Sequence, residues 1–382
     1  MDAVTSAGIL SVPSSSAQSE PSNPSDFLSV ISPKDKPWDD HRLQADQVTS
    51  ILADGLPHHQ RQAERMRECA KSLNFGWVIE SIETGEIRLR LKKSWFCRVR
   101  TCPICQWRRA KMWVARFYQA FPKIYADHPD LRYVLLTLTV RNCPVLKLRE
   151  TIQQMNSAWQ RLVQRKVWPA LGFIRSLEIT RAKDGAAHPH YHCLLAVPPS
   201  YFGKKYLSTA KWALMWQEAL RIDYTPICDV RLVKPKKWKK QRQTSPLGLQ
   251  EVLMDEVRNA IISPEVFNEG GGREFYDAHC ETLQPTPVEV LLSSITEVIK
   301  YAVKPSDMVA DPDWLLALVD ELRNARAVAV GGILRQYLSE EEPQNLVTES
   351  EDDIRNNPGG VLFGWREQYN RYKREVDKKI KI

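Results

Sequence analysis

The chain has 382 residues, of which 43% are hydrophobic and 26% charged, enough for one large domain or two to three smaller ones, each with a core. Lysine and arginine outnumber aspartate and glutamate 54 to 46, for a net charge of +8, and a basic excess suits a nucleic-acid partner. No apolar run reaches membrane-spanning length and the first residues lack a basic-then-apolar leader, so no membrane partner is expected and cytoplasm is the default.

Residues 1–35 are rich in serine and proline, poor in aromatics and aperiodic, which predicts a disordered start. A polar, helix-friendly segment follows from Asp46 to Ala70, and then strand-like alternation from Trp77 to Leu91. Three of the eight cysteines fall within nine positions, as Cys97, Cys102 and Cys105. Clustering of this kind in an intracellular-looking chain favours metal ligation over disulfides. The C-x2-C pair Cys102 and Cys105, with Cys97 and the distant Cys69, would supply four sulfur ligands for a structural zinc ion. A redox pair is the rival reading, and no strand-helix context of that type surrounds the cysteines.

Between Lys92 and Arg116 stand eight lysines or arginines and no acid, interleaved with Trp95, Trp107 and Trp113. Arg98, Arg100, Arg108 and Arg109 are therefore candidate DNA contacts, a solvated helix face being the alternative. Residues 60–120 are read together as a zinc-ribbon-like, DNA-contacting module.

The central domain, residues 125–310, opens with a strand over Leu131–Val140, bounded by Asp130 and Asn142-Cys143-Pro144. Apolar residues at helical spacing (Leu148, Ile152, Met155, Trp159, Leu162) predict an amphipathic helix. Strands over Phe173–Thr180 and Pro189–Val197, joined through Asp184-Gly185, then a helix from Tyr206 to Leu220 and a short strand at Val230–Val233 complete the pattern. This order predicts an α+β fold, a central antiparallel sheet with flanking helices.

In the run Ala187-His188-Pro189-His190-Tyr191-His192, alternation sends His190 and His192 to one face, where they could hold a divalent metal. Glu178 is a conditional third ligand. A two-residue turn at Asp184-Gly185 would set it opposite Tyr191, on the wrong face; a three-residue turn centred on Asp184, with Gly185 left-handed, sets it opposite His190. His188 is an auxiliary, with Pro189 expected to start the strand. On the later helix Leu291–Val303, Glu297, Tyr301 and Lys304 share one face, which makes Tyr301 a candidate nucleophile flanked by an acid and a base.

The TLT run at Leu138, the HPHYH block, the EVIKYAVK helix and the FCRVRTCPIC knuckle together resemble plasmid rolling-circle replication initiators (Rep proteins), in the one-tyrosine branch of the HUH endonuclease superfamily. The resemblance runs from about Cys69 to about Leu338, and Glu321–Arg326 through Gly331-Gly332 is similar to the family's end region. It implies a site-specific single-strand DNA nickase acting on origin DNA, at a hairpin or single-stranded nick site. His190 and His192 would hold Mg or Mn, and Tyr301 would form the 5′-phosphotyrosine while the freed 3′-hydroxyl primes the host polymerase. Position 297 is Glu and 305 is Pro, so no second tyrosine is at hand; Glu297 matches the glutamate that activates water for termination, and Lys304 a phosphate-steadying lysine. A host helicase is a further implied partner. A transposase or relaxase would use the same chemistry, although relaxases usually place the nucleophile ahead of the histidines. A zinc-ribbon DNA-binding regulator is the non-enzymatic alternative.

The basic insert 234–288 departs from the family pattern. It holds Lys236, Lys237, Lys239 and Lys240 as candidate DNA contacts, an expected helix over Leu249–Ile262, a glycine hinge at 270–272, and His279 and Cys280, which are read as non-ligands. Residues 311–382 are expected to form a helical C-terminal region, with acids from Glu340 to Asp353 and a basic, aromatic, helix-like tail from Trp365 to Lys381.

Overall fold

The computed structural model describes residues 24–81, 86–203, 205–233, 288–299, 302–338 and 360–375. Lys236, Lys237, Lys239, Lys240, the helix expected at 249–262, the glycine run 270–272, His279, Cys280, Tyr301 and the acidic run from Glu340 to Asp353 lie outside the described residues. Among the described residues, no helix is long and apolar enough to cross a membrane.

The central sheet has five strands, β3 (Arg132–Thr139), β4 (Gly172–Arg181), β5 (Ala187–Val197), β6 (Cys228–Leu232) and β7 (Val328–Gly332), in the order β6-β3-β5-β4-β7. Every pairing is antiparallel, as the alternation of apolar and polar residues predicts. Helices α5 (Leu148–Val163) and α6 (Thr209–Leu220) cover one face. There Tyr191 is 1% exposed and donates its hydroxyl to Asn156 Oδ1 at 2.9 Å. Arg175 lies over the Tyr191 ring at 4.1 Å and over Trp159 at 5.0 Å, a cation-on-ring contact sheltered from water. The other face carries His190 and His192 and is covered by α4 (Pro103–Asp127), through Phe117 edge-on to Tyr133, and by α7 (Val288–Val298).

Strand β4 keeps few open backbone groups, because three segments share the edge that faces away from β5. β7 pairs with Gly172–Ser176, Leu177 N–H donates to Ala327, Ile179 N–H to the Ala302 carbonyl at 2.8 Å, and Arg181 N–H to Asp307 of α8 (Pro305–Val309). Gly331 and Gly332 are dictated by this closeness. A Cβ at Gly332, whose φ is +60°, would lie 2.0 Å from the Leu171 carbonyl oxygen, and one at Gly331 would lie 2.2 Å from the Phe173 ring.

A second sheet joins the two ends of the chain. Strands β1 (Ser72–Ser81) and β2 (Glu86–Ser94) continue into β8 (Gly360–Arg366) and β9 (Arg371–Arg374), in the order β2-β1-β8-β9. Helices α2 (Pro37–Ala53) and α3 (Pro57–Glu68) accompany this sheet, and buried Arg42 caps the end of α3 through the carbonyls of Met66, Arg67 and Cys69.

Two sequence expectations are corrected here. As far as residue 375, beyond which it lies outside the described residues, the tail from Trp365 does not form the expected helix: Phe363 and Trp365 point inward with the period of a strand, Asn370 turns the chain at φ +49°, and Tyr372 returns to the core. Residues 24–35 are not disordered, since Phe27 and Leu28 are buried, with Phe27 edge-on to Tyr369 at 5.5 Å and α1 (Leu28–Ile31) following. Two apolar residues seated on a distant hairpin leave no periodicity for a sequence to display.

Tyr372 is fully buried and donates to the Ala70 carbonyl at 2.6 Å. Tyr372→Phe strands that carbonyl, so urea unfolding should show a loss of about 1–3 kcal/mol; an unchanged midpoint would remove the hydroxyl from the account.

Candidate metal centres and the cleft between them

The β4–β5 turn decides the first site. Ala182 N–H donates to Ala186 at 2.9 Å, Asp184 Oδ1 accepts from Ala186 N–H at 3.0 Å, and Gly185 has φ +82°. This is the three-residue arrangement, and Glu178 stands opposite His190. β5 starts at Ala187, two residues ahead of Pro189, which corrects the expected boundary. β3 has its last pair with β5 at Thr139 and His190, so the missing N–H of Pro189 disrupts no β3–β5 ladder bond.

Both imidazoles approach one carboxylate oxygen, with His190 Nε2 at 3.3 Å and His192 Nε2 at 2.8 Å from Glu178 Oε2. The other ring nitrogens are engaged. His190 Nδ1 lies 3.1 Å from the His188 carbonyl, which can only accept, so the proton sits on Nδ1. On a neutral ring the Nε2 lone pair would then face the carboxylate, a contact that a proton or a cation between them makes favourable. His192 Nδ1 lies 3.3 Å from Thr137 Oγ1. The three ligand atoms fall within 4.8 Å of one another, so this donor set fits a divalent ion with open coordination positions. His188 is 5.2 Å from the His190 ring and outside this trio. Burial, with His190 beside it, lowers its basicity.

Cys69, Cys97, Cys102 and Cys105 are all buried and form the second centre. A four-thiolate site with metal–sulfur bonds of about 2.3 Å spaces its sulfurs about 3.8 Å apart. The measured separations are 3.6 Å for Cys69–Cys105, 3.6 Å for Cys97–Cys105 and 3.7 Å for Cys69–Cys102. Backbone N–H groups of Cys97 and Val99 donate to the sulfurs of Cys69 and Cys97, both at 3.4 Å. The residue after each of those cysteines is left-handed, Ala70 at φ 51° and Arg98 at φ 58°, which folds the chain around the sulfur. Thiol hydrogen bonds from Cys102, Cys69 and Cys97 pull Cys105 well below the usual thiol range. Burial pushes Cys102 up.

A third group, His58, His59 and Asp320, does not suit a metal. His59 Nδ1 accepts from Leu56 N–H at 3.2 Å, so its Nε2 carries the proton and donates to Asp320. That leaves no lone pair for a cation on the neutral ring.

The later helix ends against β4. Ser176 Oγ donates to the Val298 carbonyl, the Ala302 carbonyl accepts from Ile179, and Val303 N–H donates to Gln106 Oε1 at 3.1 Å. Both described stretches flanking Tyr301 are therefore tied beside Glu178. Glu297 pairs with Arg231 of β6 at 3.2 Å, and Arg231 also holds Asp229 at 2.7 Å. Lys304 precedes α8 and is exposed.

A family model described as "Replication protein" matches residues 88–373. The chain belongs to that family of plasmid replication initiators. "Protein rep" of Bacillus amyloliquefaciens is 30% identical over 83% of this chain and 86% of the relative. "Protein rep" of Lentilactobacillus hilgardii is 35% identical over 60% of this chain and 71% of the relative. No solved structure matches the chain.

The predicted DNA contacts of this Rep family member divide. Arg98, Arg100 and Arg109 line a cleft of about 480 Å³ between the cysteine cluster and β4. Arg108 instead stacks on Trp38, Trp107 and Phe96 at 5.5, 5.8 and 6.0 Å, with its pKa lowered to about 10 by burial. Helical spacing alone could not tell these neighbouring arginines apart. Trp107 is packed edge-on against Trp38 and Trp113 is 5% exposed, which leaves Trp95, at 53%, as the exposed one of the three tryptophans. Thr137, Ser176, Gln106 and Arg326 complete the surroundings and were not singled out from the sequence. Thr137 lies in the TLT run and Arg326 in the Glu321–Arg326 run, whereas nothing local signals Ser176 or Gln106.

Burial alone would raise the Glu178 carboxyl, but hydrogen bonds to His190 and His192, and their charge, hold it well below the usual carboxylate range. A carboxyl depressed on folding stabilises the fold above its unfolded pKa and loses that contribution as pH falls through its folded value. Ligand-free protein should therefore lose Tm from about pH 4.3 downward, with a shallower slope in Glu178→Gln. Equal slopes for the two proteins would contradict the assignment.

Proposed function

We propose that this replication initiator is an HUH-type, metal-dependent, sequence-specific single-strand endonuclease and strand transferase that nicks its plasmid origin and launches rolling-circle replication. The observation that carries the reading is the convergence of His190 Nε2 and His192 Nε2 on Glu178 Oε2, at 3.3 and 2.8 Å. Those groups lie on a sheet whose adjoining backbone binds Ala302, the residue after Tyr301.

Bound by His190, His192 and Glu178, magnesium or manganese would polarise the scissile phosphate and offset the charge that builds on its oxygens. The phenol oxygen of Tyr301 attacks phosphorus and its proton is lost to solvent. The 3′-oxygen leaves, takes up a proton and becomes the primer end that a host polymerase extends, with a host helicase opening the duplex ahead. Tyr301 keeps the 5′-phosphate as an ester. Lys304 steadies phosphate charge. At termination Glu297 takes a proton from water, whose oxygen attacks the phosphorus of the closing phosphodiester. The 3′-oxygen leaves, takes up a proton and then attacks the Tyr301 phosphate ester, whose phenol oxygen leaves and is reprotonated as the strand is joined, so the protein is not left loaded for another round. The four cysteines hold a structural zinc ion, for which the sulfur spacing and donor type are suited. Arg98, Arg100 and Arg109 hold the DNA backbone; Lys236, Lys237, Lys239 and Lys240 are proposed for the same task from their sequence alone.

A labelled single-stranded oligonucleotide spanning the origin tests this directly. With manganese, the wild type should release a free 3′-hydroxyl fragment and a protein–DNA adduct, Tyr301→Phe neither, and His192→Ala about a hundredfold less product. Glu297→Ala should still nick but retain the adduct after strand closure. Cleavage that persists in Tyr301→Phe would defeat the reading.

Metal analysis of purified protein should find one equivalent of zinc. Cys105→Ser should lose it together with several degrees of Tm; a metal-free wild type of equal stability would count against the zinc assignment.

A further inference from the structure

Gln106 follows directly after Cys105 and is 5% exposed. Its Oε1 is fixed, because Val303 N–H can only donate and meets it at 3.1 Å. The Nε2 group is thereby turned the other way, and it is a buried donor with no hydrogen-bond partner among the described residues. A buried amide N–H left without an acceptor is costly, so this position suits a ligand acceptor. Gln106 lines the same 480 Å³ cleft as Arg98, Arg100, Arg109 and Arg326, whose wall also includes Ser176, Ile299 and Ala302. A cleft of that size lies within the range of small-molecule sites, and four guanidiniums around it specify an anion.

We propose that this cleft seats one nucleotide of the cut strand next to the scissile phosphate. Its phosphodiester lies among the four arginines, and Gln106 Nε2–H donates to it. Gln106 then joins three things: the cysteine cluster through Cys105, the strand through Nε2, and the backbone after Tyr301 through Oε1. Strand capture and placement of the Ala302–Val303 backbone become one event. The identity of the ligand rests on the nickase reading; the cleft, its charge and its unpaired donor do not.

The test is equilibrium binding of a fluorescent single-stranded origin oligonucleotide, without added divalent metal, in the Tyr301→Phe background so that no cutting intervenes. Gln106→Glu keeps the acceptor for Val303 and replaces the donor with a negative charge, and should weaken binding about tenfold. Arg326→Gln should weaken it and lower the salt slope by about 0.7. Lys147→Gln, on an exposed lysine paired with Glu150, should bind like its parent. Duplex of the same sequence should bind more weakly, and millimolar inorganic phosphate should not displace the oligonucleotide. Unaltered affinity in both Gln106→Glu and Arg326→Gln, equal binding of duplex, or displacement by phosphate would each overturn the proposal. Failure of the wild type to cut would overturn the nickase reading instead, leaving these binding results to stand by themselves. Thermal melting of each variant separates lost binding from lost folding; should Gln106→Glu not fold, Arg326→Gln decides.

Discussion

The Tyr191 hydroxyl reaches Asn156 under the cover of Arg175, and this contact governs what β5 presents to either side. Strand side chains alternate, so seating Tyr191 among α5 and α6 obliges His190 and His192 to emerge on the opposite face. A shift of one residue would bury both imidazoles against Trp159 and expose the aromatic ring. The same constraint then fixes Glu178, because β4 is joined to β5 by a turn of set length. Polar chemistry at the centre of the sheet is thus held in place by apolar packing behind it.

Backbone pairing brings the other parts to that centre. The outer edge of β4 accepts β7, Ala327, Ala302 and Asp307 in succession, so segments far apart in the chain are aligned by one strand. Helix α4 begins in the cysteine cluster and meets the same region one residue later, at Gln106. The cysteine cluster and the central sheet would otherwise need only a flexible tether between them. Here a rigid helix start joins them.

Much of this could be read from the residues. The His-Tyr-His alternation, the amphipathic spacing from Leu148 to Leu162 and the Cys-x2-Cys knuckle are local patterns, and each stands where its period requires. The position of Glu178 was readable only as a choice between turns, since one residue of loop length reverses the face. Gln106 and Ser176 were beyond reach because their partners lie 197 and 122 positions away, where no periodicity operates. The tail was misread for a related reason. Its aromatic and basic residues satisfy a helical pattern about as well as a strand pattern until a partner strand, β1, selects between them.

That pairing of β1 with β8 has a bearing on how the protein is made. β1 pairs early with β2 but cannot gain its other neighbour, β8, until residues 360–366 have left the ribosome, and ring closure over so long a chain is slow. A product broken off before Gly360 would leave Leu73 and Phe75 without their β8 partners and, lacking Tyr372, the Ala70 carbonyl uncovered beside the thiols. The module around the cysteines is thereby finished only once β8 and β9 have been translated.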